Sequence, residues 1–356
     1  MPRSACRRRT FLSVSGALVG LGMTGCRGSD PGPGQDASLP SCLRGMATVA
    51  EASPGQANQP REAEPQPNHL VVSAESEPRV ASVVPLADRG GVLRVWSAAS
   101  GELRHSYRID APATLRWQAG RPVVLWPDFQ DVVLLNVDTG VLGRLRTEHA
   151  QVDNPNGPQA AFSAVATADL LATIGYDNTV RVHSLNSCGE QRRFNVGESV
   201  LQVDLRTDGT VLVLHKSGLS MAGPKDSQLT LVAHPQGPNA FVQTAKVAVA
   251  VSNWSARVFN DWEPGARLEW NVAEPLVGGA IRADGALFAG CLPQTHRLVV
   301  FQTADGERRE IKLPSASRQA VFDPDGRLYT IHLREGVIAW DAETGTESRR
   351  FELPAR

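Results

Sequence analysis

Eight histidines and five cysteines are the side chains of this 356-residue chain best suited to chemistry. The histidines are His69, His105, His149, His183, His215, His234, His296 and His332, and no two stand at a metal-ligand spacing. No Cys-x-x-Cys occurs, no Gly-x-Ser-x-Gly frames a nucleophile, and no glycine-rich phosphate loop precedes a helix. The carboxylates, such as Asp138, Asp305 and Glu343, fall in turns, where a solvated role is expected. No catalytic residue, metal site or cofactor is therefore assigned. Cys42, Cys188 and Cys291 are expected as buried or loop thiols; their odd number leaves room for one disulfide.

Side chains suited to recognition are easier to find. Short apolar runs end at Arg89, Trp126, Phe129, Tyr176, Lys216, Trp254, His296 and Arg334, each in or beside a predicted turn. Aromatics are only 6% of the chain, so four of them in one class of turn is a concentration. Aromatics and arginine dominate interface hot spots. These eight residues are the candidate partner-binding set.

A repeat positions them. Aligned on the large residue before each polar turn, the phrase recurs at Trp96, Asn136, His183, Met221, Phe259, Phe301 and Trp340. The intervals are 40, 47, 38, 38, 42 and 39 residues. A fixed period near 40 marks a repeat architecture. Each unit holds four short strands, with Asp-Gly turns at 208–209, 284–285 and 325–326. The prediction is an all-β chain, a seven-bladed propeller of four-stranded blades over residues 69–356. Closing the ring lets every blade pack on two neighbours, and residues 69–75 and 348–354 are expected at one seam. The interval of 47 places an insertion at residues 148–160. His183 stands at an anchor position and is expected in the core.

These units, with Trp340-Asp341 and the segment ATIGYDNTVRVHSL at 172–185, resemble the WD40 repeat. The resemblance rests on period more than motif. The Gly-His pair is missing, and the Asp–His–Ser–Trp set of that family is incomplete in every unit. The broader quinoprotein-like propellers are also similar.

The N-terminus reads as an address. Arg3, Arg7, Arg8 and Arg9 precede a mild apolar run. Arg8, Arg9, Phe11 and Leu12 resemble the twin-arginine export motif, and Met23-Thr24-Gly25-Cys26 resembles a bacterial lipobox. That resemblance implies a signal peptide over 1–25 and a diacylglycerol on Cys26. Its removal takes four arginines and no acid, moving the formal charge from −1 to −5. Residues 26–68, rich in Pro, Gly, Gln and Ser without an aromatic, are expected as a lipidated flexible linker.

Near-neutral charge gives no electrostatic footprint for nucleic acid. The expectation is a monomeric propeller in the cell envelope, lipid-anchored on a periplasmic or extracellular face and binding protein partners. A propeller enzyme or ligand binder using the central channel stays open as the alternative.

Overall fold

The computed structural model describes residues 39–52, 69–73, 77–85, 90–110, 114–151, 161–233, 240–244, 247–252, 254–260, 266–332 and 336–351. Among them every regular element is a β-strand, and the strands form seven sheets. A strand β1 (Arg44–Thr48) precedes the repeats. Blade 1 is β2 (His69–Val72), β3 (Arg79–Pro85), β4 (Gly90–Ser97) and β5 (Leu103–Asp110). Blade 2 is β6 (Arg116–Trp117), β7 (Val123–Asp128), β8 (Asp131–Asn136) and β9 (Val141–Arg146). Blade 3 is β10 (Ala161–Ala166), β11 (Leu170–Gly175), β12 (Thr179–Ser184) and β13 (Glu190–Asn195). Blade 4 is β14 (Val200–Leu205), β15 (Val211–His215), β16 (Gly218–Ala222) and β17 (Thr230–Ala233). Blade 5 is β18 (Ala240–Gln243), β19 (Val247–Val251), β20 (Ser255–Asn260) and β21 (Leu268–Asn271). Blade 6 is β22 (Val277–Ile281), β23 (Leu287–Leu292), β24 (Arg297–Gln302) and β25 (Arg308–Lys312). Blade 7 is β26 (Ala320–Phe322), β27 (Leu328–His332), β28 (Gly336–Trp340) and β29 (Glu347–Phe351).

Each blade is an antiparallel meander whose first strand lies innermost. The middle strands face a neighbour on both sides, so they carry unbroken apolar runs; every residue of β15, β23, β27 and β28 is buried. The outermost strands are half wet and read polar, as in Glu347–Phe351, where only Phe351 is buried. The expected seven-bladed all-β architecture stands.

The core is divided among the seven gaps between blades. Leu93, Trp117 and Val133 fill the gap from blade 1 to blade 2. Trp270, Phe288 and Phe301 stack in the gap from blade 5 to blade 6, with ring centroids 4.4 Å apart for Trp270 and Phe301. The expected seam is closed in the same way. Leu70 and Val72 of β2 share one cluster with Tyr329 and Phe351 of blade 7, and Trp96 meets Phe351 edge-on at 6.4 Å. The Gln319 side chain donates to the Leu70 carbonyl at 2.6 Å and accepts from the Leu70 N–H at 2.8 Å. Gln202 grips Phe241 identically between blades 4 and 5. Each blade keeps its own four strands, so the ring is closed by packed faces and side-chain amides.

The stretch read as a flexible linker needs correction over residues 39–52. β1 is hydrogen-bonded to β9 as a fifth, outer strand of blade 2. Beyond it, Ala52 donates to the Ser106 carbonyl at 2.9 Å, and Glu51 bridges Tyr107 on β5 of blade 1. Before it, Cys42 is disulfide-bonded to Cys188 in the turn between β12 and β13 of blade 3, with Cα atoms 5.8 Å apart. The expectation of free thiols fails there and holds for Cys291, whose burial pushes its thiol up to about 12. A belt thus crosses the outer edges of blades 3, 2 and 1. Its low apolar content is offset by backbone pairing, by the cross-link and by burial of Leu39, Leu43 and Ala52. The site Gly143 on β9 is part of this fit: a Cβ there would come within 2.8 Å of Leu43 and Met46.

Candidate functional site

The turns from second to third strand share one face of the ring with the connections between blades; we call it the top. In blade 2 the turn is Phe129-Gln130, closed by the pair Asp128–Asp131. Phe129 occupies the first of two central positions with φ 58°, a left-handed conformation that favours Gly in hairpin turns. Its ring is 43% exposed. The turn is nonetheless fixed, because its carbonyls accept from Ala161 at 2.9 Å and from both donors of Thr147.

Tyr176 leads the corresponding turn of blade 3 and is also exposed. A buried network holds it. Asp177 accepts from the Ala150 N–H at 2.9 Å, from the Thr179 hydroxyl at 2.8 Å and from His149 Nδ1 at 3.0 Å. A carboxylate only accepts, so Nδ1 carries the proton and Nε2 takes the Thr173 hydroxyl at 2.9 Å. Burial works against the Asp177 anion, but these hydrogen bonds hold its carboxyl below the ordinary range. Burial likewise lowers His149. Gly175 is required because a Cβ would sit 2.4 Å from the His149 ring.

His149 follows Glu148, which has φ 55°. Glu148-His149 therefore stands in the geometry of the Gly-His pair that the sequence lacks. The four-member set stays incomplete, since His183 replaces the tryptophan and is buried with neither ring nitrogen partnered. Burial drives its pKa down to about 4. Other blades assemble different networks. In blade 7, Trp340 donates to Thr330, which meets His332 at 2.8 Å. In blade 4, His215 joins Glu198 to Ser220.

Two residues absent from the candidate set belong beside Phe129 and Tyr176. The innermost strands of blades 3 and 4 are bulged at residues 161–163 and 200–202. A bulge adds one residue and turns its side chain away from the regular alternation. Phe162 is partly exposed there and meets Tyr176 at 4.8 Å, while Leu201 is exposed. Sequence alternation alone gave no signal for either, because a bulge breaks the period on which it depends.

The remaining candidates divide. Trp254 is 55% exposed on the top turn of blade 5, and Lys216 and His296 are exposed on those of blades 4 and 6. Trp126 needs correction as an exposed contact: it is 3% exposed inside β7 and packs into the gap between blades 1 and 2. Two residues separate it from Phe129, and the strand's period of two carries it inward. Arg89, Arg334, most of the insertion at 148–160, and the export and lipidation residues Arg8, Arg9, Phe11, Leu12 and Cys26 lie outside the described residues.

No protein-family model and no curated protein matches the chain. Solved structures do. A chain described as "Crystal Structure of Mitotic Checkpoint Complex" superimposes with TM-score 0.61 at 11% identity, covering 90% of this chain and 99% of that one. At that identity the likeness is one of fold.

Proposed function

We propose that this protein is a membrane-anchored propeller platform of the bacterial cell envelope, docking a protein partner on its top face. Phe129, Phe162, Tyr176 and Leu201 form the contact strip over blades 2 to 4, with Trp254 further round the ring. The observation that carries this reading is Phe129. A bulky aromatic held at positive φ and left in solvent costs about 1–2 kcal/mol in backbone strain alone. Folding gains nothing from that choice, whereas an interface gains an aromatic anchor.

Cys42–Cys188 is a structural cross-link of the kind that persists outside the reducing cytosol. It agrees with export through the Arg8-Arg9 signal and with an anchor on Cys26. The inner-strand amides Gln202 and Gln319 are spent joining blades, which supports recognition on the turns. The solved mitotic checkpoint structure, described as a complex, is compatible with a binding role for the fold.

The test is recovery of partners from the protein's own membranes by mild crosslinking, comparing wild type with Phe129→Asn plus Tyr176→Ala. A stoichiometric partner lost at least tenfold in the variant is expected. Equal recovery from both would remove the top-face reading. Intact-mass measurement of the membrane form, with Cys26→Ser as control, tests the anchor.

A further inference from the structure

The first strands of the blades ring the central channel. Each runs away from the top and ends at the turn into the second strand, on the opposite face. At that lower end the channel carries charge. Arg116 stands on β6 of blade 2, Asp204 on β14 of blade 4 with Arg206 just past it, and Gln243 ends β18 of blade 5. Arg116, Asp204 and Gln243 are each more than nine-tenths buried.

These four residues form one network. Asp204 accepts from the Leu205 N–H at 2.8 Å and from the Gln243 amide. Gln243 accepts in turn from Arg206 at 3.5 Å. The register of blade 2 places Arg116. It pairs with Leu125, which packs into the gap toward blade 3, whereas Trp117 packs toward blade 1. Directly opposed residues project to one face of a sheet, so Arg116 leaves β6 on the blade 3 side. Asp204 of blade 4 is nonetheless within its electrostatic reach. Blade 3 stands between the two strands, so the guanidinium extends past β10 on the channel side.

Cations outweigh anions there. Among the described residues the Arg116 side chain makes one hydrogen bond, from Nη1 to the Leu115 carbonyl at 3.2 Å. The Arg206 side chain makes the bond to Gln243, and its buried Nε has no partner. Asp204 is the one charge among the described residues whose field reaches Arg116, and burial still pulls Arg116 down to about 10. Burial also pushes the Asp204 carboxyl up. Two guanidinium groups thus share one carboxylate, which already accepts from two uncharged donors. A buried cation without a counter-charge of its own is costly.

We propose that the lower end of the channel binds a small oxyanion between Arg116 and Arg206. A planar guanidinium offers paired N–H groups to two oxygens of one ligand. Phosphate and a compact carboxylate share that chemistry. The site lies at the opposite end of the ring from the top-face strip and does not depend on it.

The experiment is calorimetric titration of the full chain with inorganic phosphate, acetate and chloride. Phosphate or acetate is expected to bind at least tenfold more tightly than chloride, which has no second oxygen for the fork. The tighter of the two names the ligand class, phosphoryl or carboxylate. Arg116→Gln and Arg206→Gln are each expected to weaken that anion at least fivefold. Arg206 is partly exposed, so Arg206→Gln decides the matter if Arg116→Gln lowers the melting temperature. No binding of either oxyanion at millimolar concentration, equal binding of chloride, or affinity unchanged in a folded Arg206→Gln variant would each overturn the assignment.

Discussion

Phe129 and His183 show how individual positions depart from what folding alone would select. Phe129 sits where Gly or Asn is preferred, so Phe129→Asn is expected to raise stability by about 0.5–1 kcal/mol while weakening partner recovery. Denaturant unfolding and pull-down on the same samples check both. His183 is buried without a partner, and its folded pKa near 4 lies below the ordinary value of 6.5. Between these values the unfolded chain binds the proton and the folded chain does not. Stability is therefore complete above pH 6.5 and falls as pH drops toward 4, by roughly 3 kcal/mol at one proton over that span. His149 adds in the same direction. Unfolding measured from pH 7 to 4 should show this slope, and His183→Phe should flatten it. The burial of His183 was legible, because it occupies an anchor position. The pairing of His149 was not, because Glu148 hides the turn geometry that usually carries Gly.

Strands were legible where alternation and turn chemistry agree. The last unit shows this: Asp325-Gly326 marks its hairpin, with Gly326 at φ 84°, and β27 and β28 follow the apolar runs. The belt was hidden for the opposite reason. Residues 39–52 lack a periodic apolar face, and their order comes from an existing strand edge and a cysteine 146 positions away. A loop of that size makes the cross-link worth about 2–5 kcal/mol. Reduction, or Cys42→Ser, is expected to lower stability by that amount and to leave the seven blades assembled. Hydrogen exchange should then rise at β1 and along β9 and stay unchanged in blades 5 and 6.

At the scale of the ring, the period of about 41 residues fixed the blade number, since a lone blade cannot bury both faces. What a period cannot reveal is which residues the bulges at 161–163 and 200–202 release toward the top. Among the described residues the exposed large aromatics gather on the top turns. The top turns carry Phe129, Tyr176 and Trp254, while the opposite turns carry acids such as Asp138, Asp305 and Glu343. On the proposed reading the top face alone docks the partner. Photo-crosslinking from a single reactive side chain, placed at Tyr176 on the top or at Asp305 on the opposite face, tests this in the native envelope. A discrete crosslinked partner from position 176 and none from position 305 is the predicted result. The same partner from position 305 alone, or from both positions equally, would contradict it.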